Sequence, residues 1–460
     1  MERYDLVVIG SGPAGEKAAA QAAYFGKRVA IVEKAREPGG AAVHTGTLPS
    51  KTLRESAIYL SGHRSRALYG VAVTLEHDAT VQTLMARKRA IAIAESRRIR
   101  DNLARHSIDY VHGHARFTSE HEIRVGETTI YGEHFLIATG STPRRPDDCD
   151  FDSPRVHDSD EILGIEALPK SMIILGAGVI GCEYACMFAA LGTEVKLVDA
   201  RPDILPFIDT EIRDRLQQEM GGLGIQMHQP HRWGAVVDEG AQVTVQLDDG
   251  NRLGAEHLLF AAGRTGNTAD LGLEAIGIRP NDRGYLDVDD AYRTSVPHIL
   301  AAGDVIGFPA LASASMEQGR VAVCRAFDFA YKQNMSEMIP YGIYTIPEVS
   351  AVGETEQTCL EKKRPHVVGR ARFRDNARGQ IQGDLGGLLK LVACGETRKL
   401  LGVHVIGERA SEMVHLGQAA LLMEATVDLF IEMVFNFPTL SETYKYAAYE
   451  CLGALARRGA

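Results

Sequence analysis

Apolar residues in this chain gather in short, dense runs bounded by glycine. YDLVVIG starts at Tyr4, SMIILG at Ser171, HFLIATG at His134, HLLFAAG at His257 and PHILAAG at Pro297. Runs of this length closed by glycine turns read as strands buried on both faces, the pattern of a parallel sheet. Two of these strands lead into a helical stretch and then a second apolar strand. A longer helical stretch lies near 80–105, with basic residues crowding its second half. A charged run of that kind predicts a solvated face. After about residue 335 the pattern changes. YGIYTIPEVSAVGETE and LGGLLKLVACGETRKLLGVHVIG read as strands and turns, followed by helical stretches around 410–433 and 441–457. The expectation is an α/β protein with two Rossmann-like units and a C-terminal α+β dimerisation domain.

The two strand–helix–strand segments are copies of one pattern. The first carries Gly10, Gly12 and Gly15 and ends at Glu33; the second carries Gly176, Gly178 and Gly181 and ends at Asp199. From first glycine to acid is 23 positions in both, and a further glycine, Gly26 or Gly192, falls at the same offset. The first glycine permits a tight turn after the strand. The second lets the backbone approach a pyrophosphate, and the third lets helix and strand pack closely. Free N–H groups at the helix start then face the phosphates, and the acid accepts hydrogen bonds from a ribose. Because each copy has the strand, helix and acid that the motif needs, two copies predict two dinucleotides.

Composition narrows the setting. With 460 residues the size prior is roughly three domains. A net charge of −10 argues against nucleic acid or an anionic membrane surface as partner, since both need basic patches. The longest apolar run, 172–182, is too short and glycine-rich to span a bilayer. MERYDLVVIG shows no secretory apolar region or cleavage site. Seven cysteines, at 149, 182, 186, 324, 359, 394 and 451, form no CxxC pair. A reduced, cytoplasmic protein is expected. Cys182 and Cys186, one helical turn apart, read as small core-facing side chains.

GGAAVHTGTLPSK, from Gly39 to Lys51, carries the next signal. Together with both glycine motifs, ATG at 138–140, GRTGNT at 263–268, AAGDV at 301–305 and PTLSE at 438–442, it resembles the FAD-dependent pyridine nucleotide–disulfide oxidoreductase superfamily along nearly the whole chain. That resemblance implies an FAD-binding domain at 1–148, an inserted NAD(P)-binding domain at 149–268, a return to the FAD fold at 269–335 and an interface domain at 336–460 that builds a homodimer. It assigns Gly10, Gly12, Gly15 and Glu33 to the FAD adenosine and pyrophosphate, and Gly39, Gly40 and Lys51 to the flavin. Asp304 is assigned to the ribityl chain, and Gly176, Gly178 and Gly181 to a nicotinamide dinucleotide. Lys34, Ala42, Ala115, Gly140, Ala312 and Gly263 complete the cofactor-binding set. Read from residues alone, Asp304 serves equally as a cap for the following helix.

Two departures from that superfamily bear on chemistry. Dithiol members read GG-x-C-x4-C-x-PSK, and Ala42 and Thr47 occupy the two cysteine positions here. Neither can become a thiolate, so neither can attack a disulfide. Dithiol members also place a histidine before the PT of the C-terminal motif, where this chain has Phe437, although Glu442 remains. Phenylalanine cannot act as general acid or base. What remains is hydride exchange between a flavin and nicotinamides, which needs neither group. GTLPSK with threonine at the distal cysteine position, GAGVIGCEYA, GRTGNT, GIYTIPE and FNFPT narrow the resemblance to the soluble, Si-specific pyridine nucleotide transhydrogenases. It implies a ping-pong exchange between NADPH and NAD+ through FAD. An FAD-dependent NAD(P)H diaphorase or quinone reductase, and a non-catalytic FAD-binding relative, stay open as alternatives.

Four side chains in the sequence have double readings. Asp199 should favour the ribose 2′-hydroxyl of NAD(H) and repel the 2′-phosphate of NADP(H). Arg201 could offset that repulsion with a phosphate contact, or stand exposed on the surface. By the resemblance Lys51 and Glu183 pair near the nicotinamide, where a cation would stabilise negative charge on the flavin. Taken singly, Lys51 is a helix-surface lysine and Glu183 a first-turn acid favoured by the helix dipole.

Overall fold

The computed structural model describes residues 2–61 and 77–458. Both glycine motifs fold as their spacing predicts. Strand Glu2–Ile9 turns into helix Pro13–Tyr24 and continues to strand Val29–Glu33; strand Ser171–Leu175, helix Val179–Ala190 and strand Glu194–Val198 repeat the unit. Gly10 and Gly176 open the two turns at φ +105° and +106°, a conformation that side chains resist. A β-carbon on Gly15 would lie 1.9 Å from the Gly10 carbonyl oxygen, and one on Gly181 would lie 1.8 Å from that of Gly176. Helix and strand approach this closely only with glycine at the crossing.

The first sheet runs in the order 109–112, 29–33, 2–9, 128–137, 122–125 and 115–119. Strand Ile299–Ala301 pairs parallel with Thr128–Ile137, so a late segment of the chain returns to complete this sheet. The second sheet is parallel throughout, in the order 226–228, 194–198, 171–175, 257–260 and 156–158. An antiparallel meander over 233–255 packs its apolar side, Val243, Val245 and Leu247, against Ile173, Leu175 and Phe260 of that sheet. A two-stranded ribbon, 141–143 with 264–266, connects the two units.

The C-terminal region is an antiparallel sheet of five strands in the order 341–343, 349–353, 400–406, 388–394 and 366–372. Helices Ala410–Leu422 and Thr443–Arg458 pack on it. The structure corrects the sequence reading at two places here. The helix expected over 410–433 breaks after Leu422 and resumes only at Asp428–Glu432. Glu424 takes φ +50°, and Thr426 bridges to Lys399, which pulls the chain out of helical pairing. Strand His366–Arg372 went unread because charged residues interrupt its apolar positions; it alternates buried and half-exposed side chains at the sheet edge. The long basic helix spans His77–Arg105. Arg97, Arg98 and Arg100 are exposed as expected, though Arg98 also reaches the buried Glu16 at 3.5 Å.

Candidate functional site

The first glycine turn is closed by its own acid. Glu33 is buried, and one carboxylate oxygen accepts from the Ser11 backbone N–H at 2.8 Å and the Ser11 hydroxyl at 2.6 Å. The other accepts from the Ala35 N–H at 2.8 Å. Gly39 donates to the Ser11 hydroxyl oxygen at 3.2 Å, which folds the Gly39–Gly40 segment over the turn. A β-carbon on Gly40 would lie 2.9 Å from Gly12 Cα, so two bare backbones line a groove that any side chain at Gly40 would fill. Lys34 lies exposed beside Glu33, and Ala115 is buried at the start of strand Ala115–Ser119. Gly140, at φ +70°, follows the central strand and accepts from the Asn267 N–H at 3.0 Å. Asp304 does not cap a helix. Its carboxylate accepts from Ser141 at 3.1 Å and Ser315 at 3.3 Å, and helix Ala312–Ala326 begins after Leu311.

The second turn repeats the arrangement with a difference. Asp199 is buried and accepts from the Ala177 N–H at 2.7 Å, as Glu33 does from Ser11. Arg201, read from the sequence as a phosphate contact or an exposed surface arginine, is exposed and also turns onto Asp199. Its guanidinium grips Asp199 in a two-point contact, Nε to Oδ1 at 2.9 Å and Nη2 to Oδ2 at 2.8 Å, with its outer edge half exposed. Burial pushes the Asp199 carboxyl up, but the Arg201 contacts outweigh it and hold it below the usual carboxylate range. Around Gly178 and Gly263 an added β-carbon would meet nothing within 4 Å, so the approach to this turn is open.

Lys51 on helix Thr47–Leu60 meets Glu183 on helix Val179–Ala190, the helix that follows the second turn, at 2.7 Å. Glu183 is buried and Lys51 is one-quarter exposed. The pair joins residues 132 positions apart in sequence. Ala42 lies half-buried on the short helix Gly40–His44, and Thr47 is exposed at the start of the next helix. All seven cysteines are buried. Cys182 and Cys186 flank Glu183, and burial raises both thiols, Cys186 to about 12. Phe437 is 73% exposed, and Glu442 engages Asn376 and Tyr446 instead of a histidine.

Several contributors escaped the sequence reading. Ser11 sits inside the first glycine motif, but only its geometry shows that it links Glu33 to Gly39. Arg264 belongs to the GRTGNT run; its guanidinium holds the Ser141 hydroxyl at 2.8 Å and the Ser141 carbonyl at 2.6 Å, which orients a partner of Asp304. Tyr344 belongs to GIYTIPE, and its N–H donates to Glu183 at 2.9 Å. The motif marked the stretch, whereas the contact depends on how the C-terminal sheet docks.

Residues 4–319 match the family model described as pyridine nucleotide-disulphide oxidoreductase, and residues 339–448 match the dimerisation domain of that family. The chain is 46% identical to a soluble pyridine nucleotide transhydrogenase of Mycobacterium bovis, covering 99% of this chain and 98% of the relative. It is 42% identical to a soluble pyridine nucleotide transhydrogenase of Colwellia psychrerythraea, covering 98% of each. Among solved structures, LpdA from Mycobacterium tuberculosis superposes with a TM-score of 0.89 at 27% identity, over 98% of this chain and 99% of that one. The HOCl-induced flavoprotein disulfide reductase RclA from Escherichia coli, solved as a Cu(II) complex, superposes at 0.88 and 27% identity over the same shares.

Proposed function

The chain belongs to the pyridine nucleotide-disulphide oxidoreductases, among the soluble pyridine nucleotide transhydrogenases, and from that membership we propose that it moves a hydride between NADPH and NAD+ by a ping-pong sequence in which no disulfide takes part. It is an FAD-dependent oxidoreductase with NAD(H) and NADP(H) as substrates. The groove at Gly12 and Gly40, the buried Glu33 and the Asp304 carboxylate fit FAD: bare backbone for the pyrophosphate, an acid for the ribose and an acid for the ribityl chain. When bound, FAD supplies two-electron hydride chemistry.

The protein's part is to bind and align. Gly176, Gly178 and Gly181 hold a nicotinamide dinucleotide at the second turn, with Asp199 and Arg201 at the ribose end. The Lys51–Glu183 pair at 2.7 Å carries this reading, because it joins the FAD-side helix to the nicotinamide-side helix through a fixed cation. A lysine held there stabilises negative charge that gathers in the site during hydride transfer. Ala42 and Thr47 offer no thiol, and burial raises the thiols of Cys182 and Cys186 beside Glu183, so in this reading no sulfur relays electrons. Phe437 cannot serve as a base, and exchange of a hydride between two nicotinamides needs none. One open second turn serves both nucleotides in sequence, which gives the ping-pong order. NADPH and NAD+ become NADP+ and NADH with nothing left over.

The same reading divides the chain at 1–148, 149–268, 269–335 and 336–460. It places Val434 and Phe437, 94% and 73% exposed, against a second copy of the chain in a homodimer, in the cytoplasm. None of the described helices is long and apolar enough to cross a membrane. Initial rates over a grid of NADPH and NAD+ concentrations test the sequence of events. Parallel reciprocal lines are expected; lines that intersect would remove the single shared pocket.

A further inference from the structure

We infer that Tyr344 is the positioning residue that fixes the Lys51 ammonium at the hydride site, an assignment that rests on the role given above to Lys51 and Glu183. Tyr344 touches both members of the pair. Its backbone N–H donates to Glu183 Oε1 at 2.9 Å, while Glu183 Oε2 takes the Lys51 ammonium at 2.7 Å. The same ammonium lies 4.8 Å from the centroid of the Tyr344 ring, within cation–π range. Lys51 is thus held between a carboxylate on the nicotinamide-side helix and an aromatic face from the C-terminal unit.

The segment that carries the ring is itself anchored. Burial pushes the Tyr344 phenol up, which keeps it protonated at neutral pH. Ser411 donates its hydroxyl to Glu348 at 2.9 Å. Glu348 pairs with the buried Arg54 at 3.0 Å, and Arg54 donates to the Thr345 carbonyl at 2.8 Å. Lys51 and Arg54 lie three positions apart on one helix, so two neighbouring side chains of that helix grip the Tyr344–Thr345 segment.

An aromatic ring suits this position chemically. Glu183 already balances the ammonium, and a second carboxylate would leave the cluster net negative. A ring face attracts the cation and leaves it cationic, so the charge stays available to the site. Without the ring, a partly exposed lysine with a flexible stem turns toward water.

The test compares FAD-loaded wild type, Tyr344→Phe and Tyr344→Leu. Three quantities are read: flavin reduction by saturating NADPH, the midpoint potential of bound FAD, and Lys51 acylation by trace acetic anhydride, located by mass spectrometry. Tyr344→Leu should slow reduction about tenfold, the scale of a lost partly desolvated cation–π contact. It should also make the potential more negative and raise Lys51 acylation. Tyr344→Phe keeps the face and should restore most of each. A Leu variant with wild-type potential and wild-type Lys51 acylation would overturn the assignment. So would a Phe variant as impaired as Leu. If the Leu variant does not load FAD, Tyr344→Met takes its place as a replacement without a ring face; raised Lys51 acylation supports the assignment and unchanged acylation overturns it. The readouts use NADPH alone, so they decide Tyr344 even where NAD+ fails to reoxidise the wild type, an outcome that would sink only the transhydrogenase reading.

Discussion

Asp199 and Arg201 carry opposite preferences for the two substrates. A carboxylate at the end of the second strand suits a ribose 2′-hydroxyl and repels a 2′-phosphate, which a guanidinium attracts. Held together at 2.8 and 2.9 Å, the pair presents both groups at one place. Arg201→Ala should raise the KM for NADPH about tenfold, the scale of one charge-assisted contact, and leave that for NADH within about twofold. Equal rises for both would remove Arg201 from phosphate recognition. Because the Asp199 carboxyl is held low, the pair stays charged down to the ordinary carboxylate range. Its contribution is complete above the unfolded pKa of about 4 and is lost only as pH falls through the lower folded value. The KM for NADH should therefore be flat between about pH 8 and 5, whereas that for NADPH also follows its own 2′-phosphate, which titrates near pH 6; a break in the NADH KM inside that window would contradict the pairing. Asp199 was legible from its spacing behind Gly176. The direction Arg201 takes was not, because a strand tip leaves an arginine free to face a neighbour or solvent until the fold places them.

Elements carry the two binding turns, and their glycines separate FAD from the nicotinamide. Gly181→Ala would put a β-carbon 1.8 Å from a backbone carbonyl and push helix Val179–Ala190 off its strand. The variant should still purify with bound FAD, lose most of its bleaching by NADPH, and unfold about 1–3 kcal/mol more easily. Gly15→Ala makes the same clash at the first turn and should lose the FAD itself. Flavin content and NADPH titration distinguish the two; a Gly181→Ala protein that binds NADPH normally would show that close packing there is not needed. These elements were readable because strand, glycine spacing and acid constrain one another within about thirty residues. The break at Glu424 and strand His366–Arg372 were not, since the first is fixed by the bridge between Lys399 and Thr426 and the second has its apolar positions interrupted by charged residues.

At the scale of the molecule, charge ties the nicotinamide unit to the C-terminal sheet. Lys390 has no exposed surface and contacts Asp209 at 2.8 Å, Glu356 at 2.7 Å and Glu211 at 3.1 Å. Asp209 is also fully buried and caps helix Thr210–Gly222. Lys390→Met would strand that carboxylate and should cost about 3–5 kcal/mol in a urea titration. A loss under about 1 kcal/mol would mean that water reaches Asp209. Nothing in the sequence linked residues 209 and 390, because an ion pair between separate units has no local signature.

The most direct measurement of sulfur-free exchange is an anaerobic two-step titration of the FAD-loaded protein. NADPH should bleach the flavin with one equivalent per FAD, no long-wavelength thiolate band should appear, and NAD+ added next should restore the colour and yield one NADH per FAD. Uptake of a second electron pair before NAD+ is added, or a flavin that stays bleached in its presence, would contradict it.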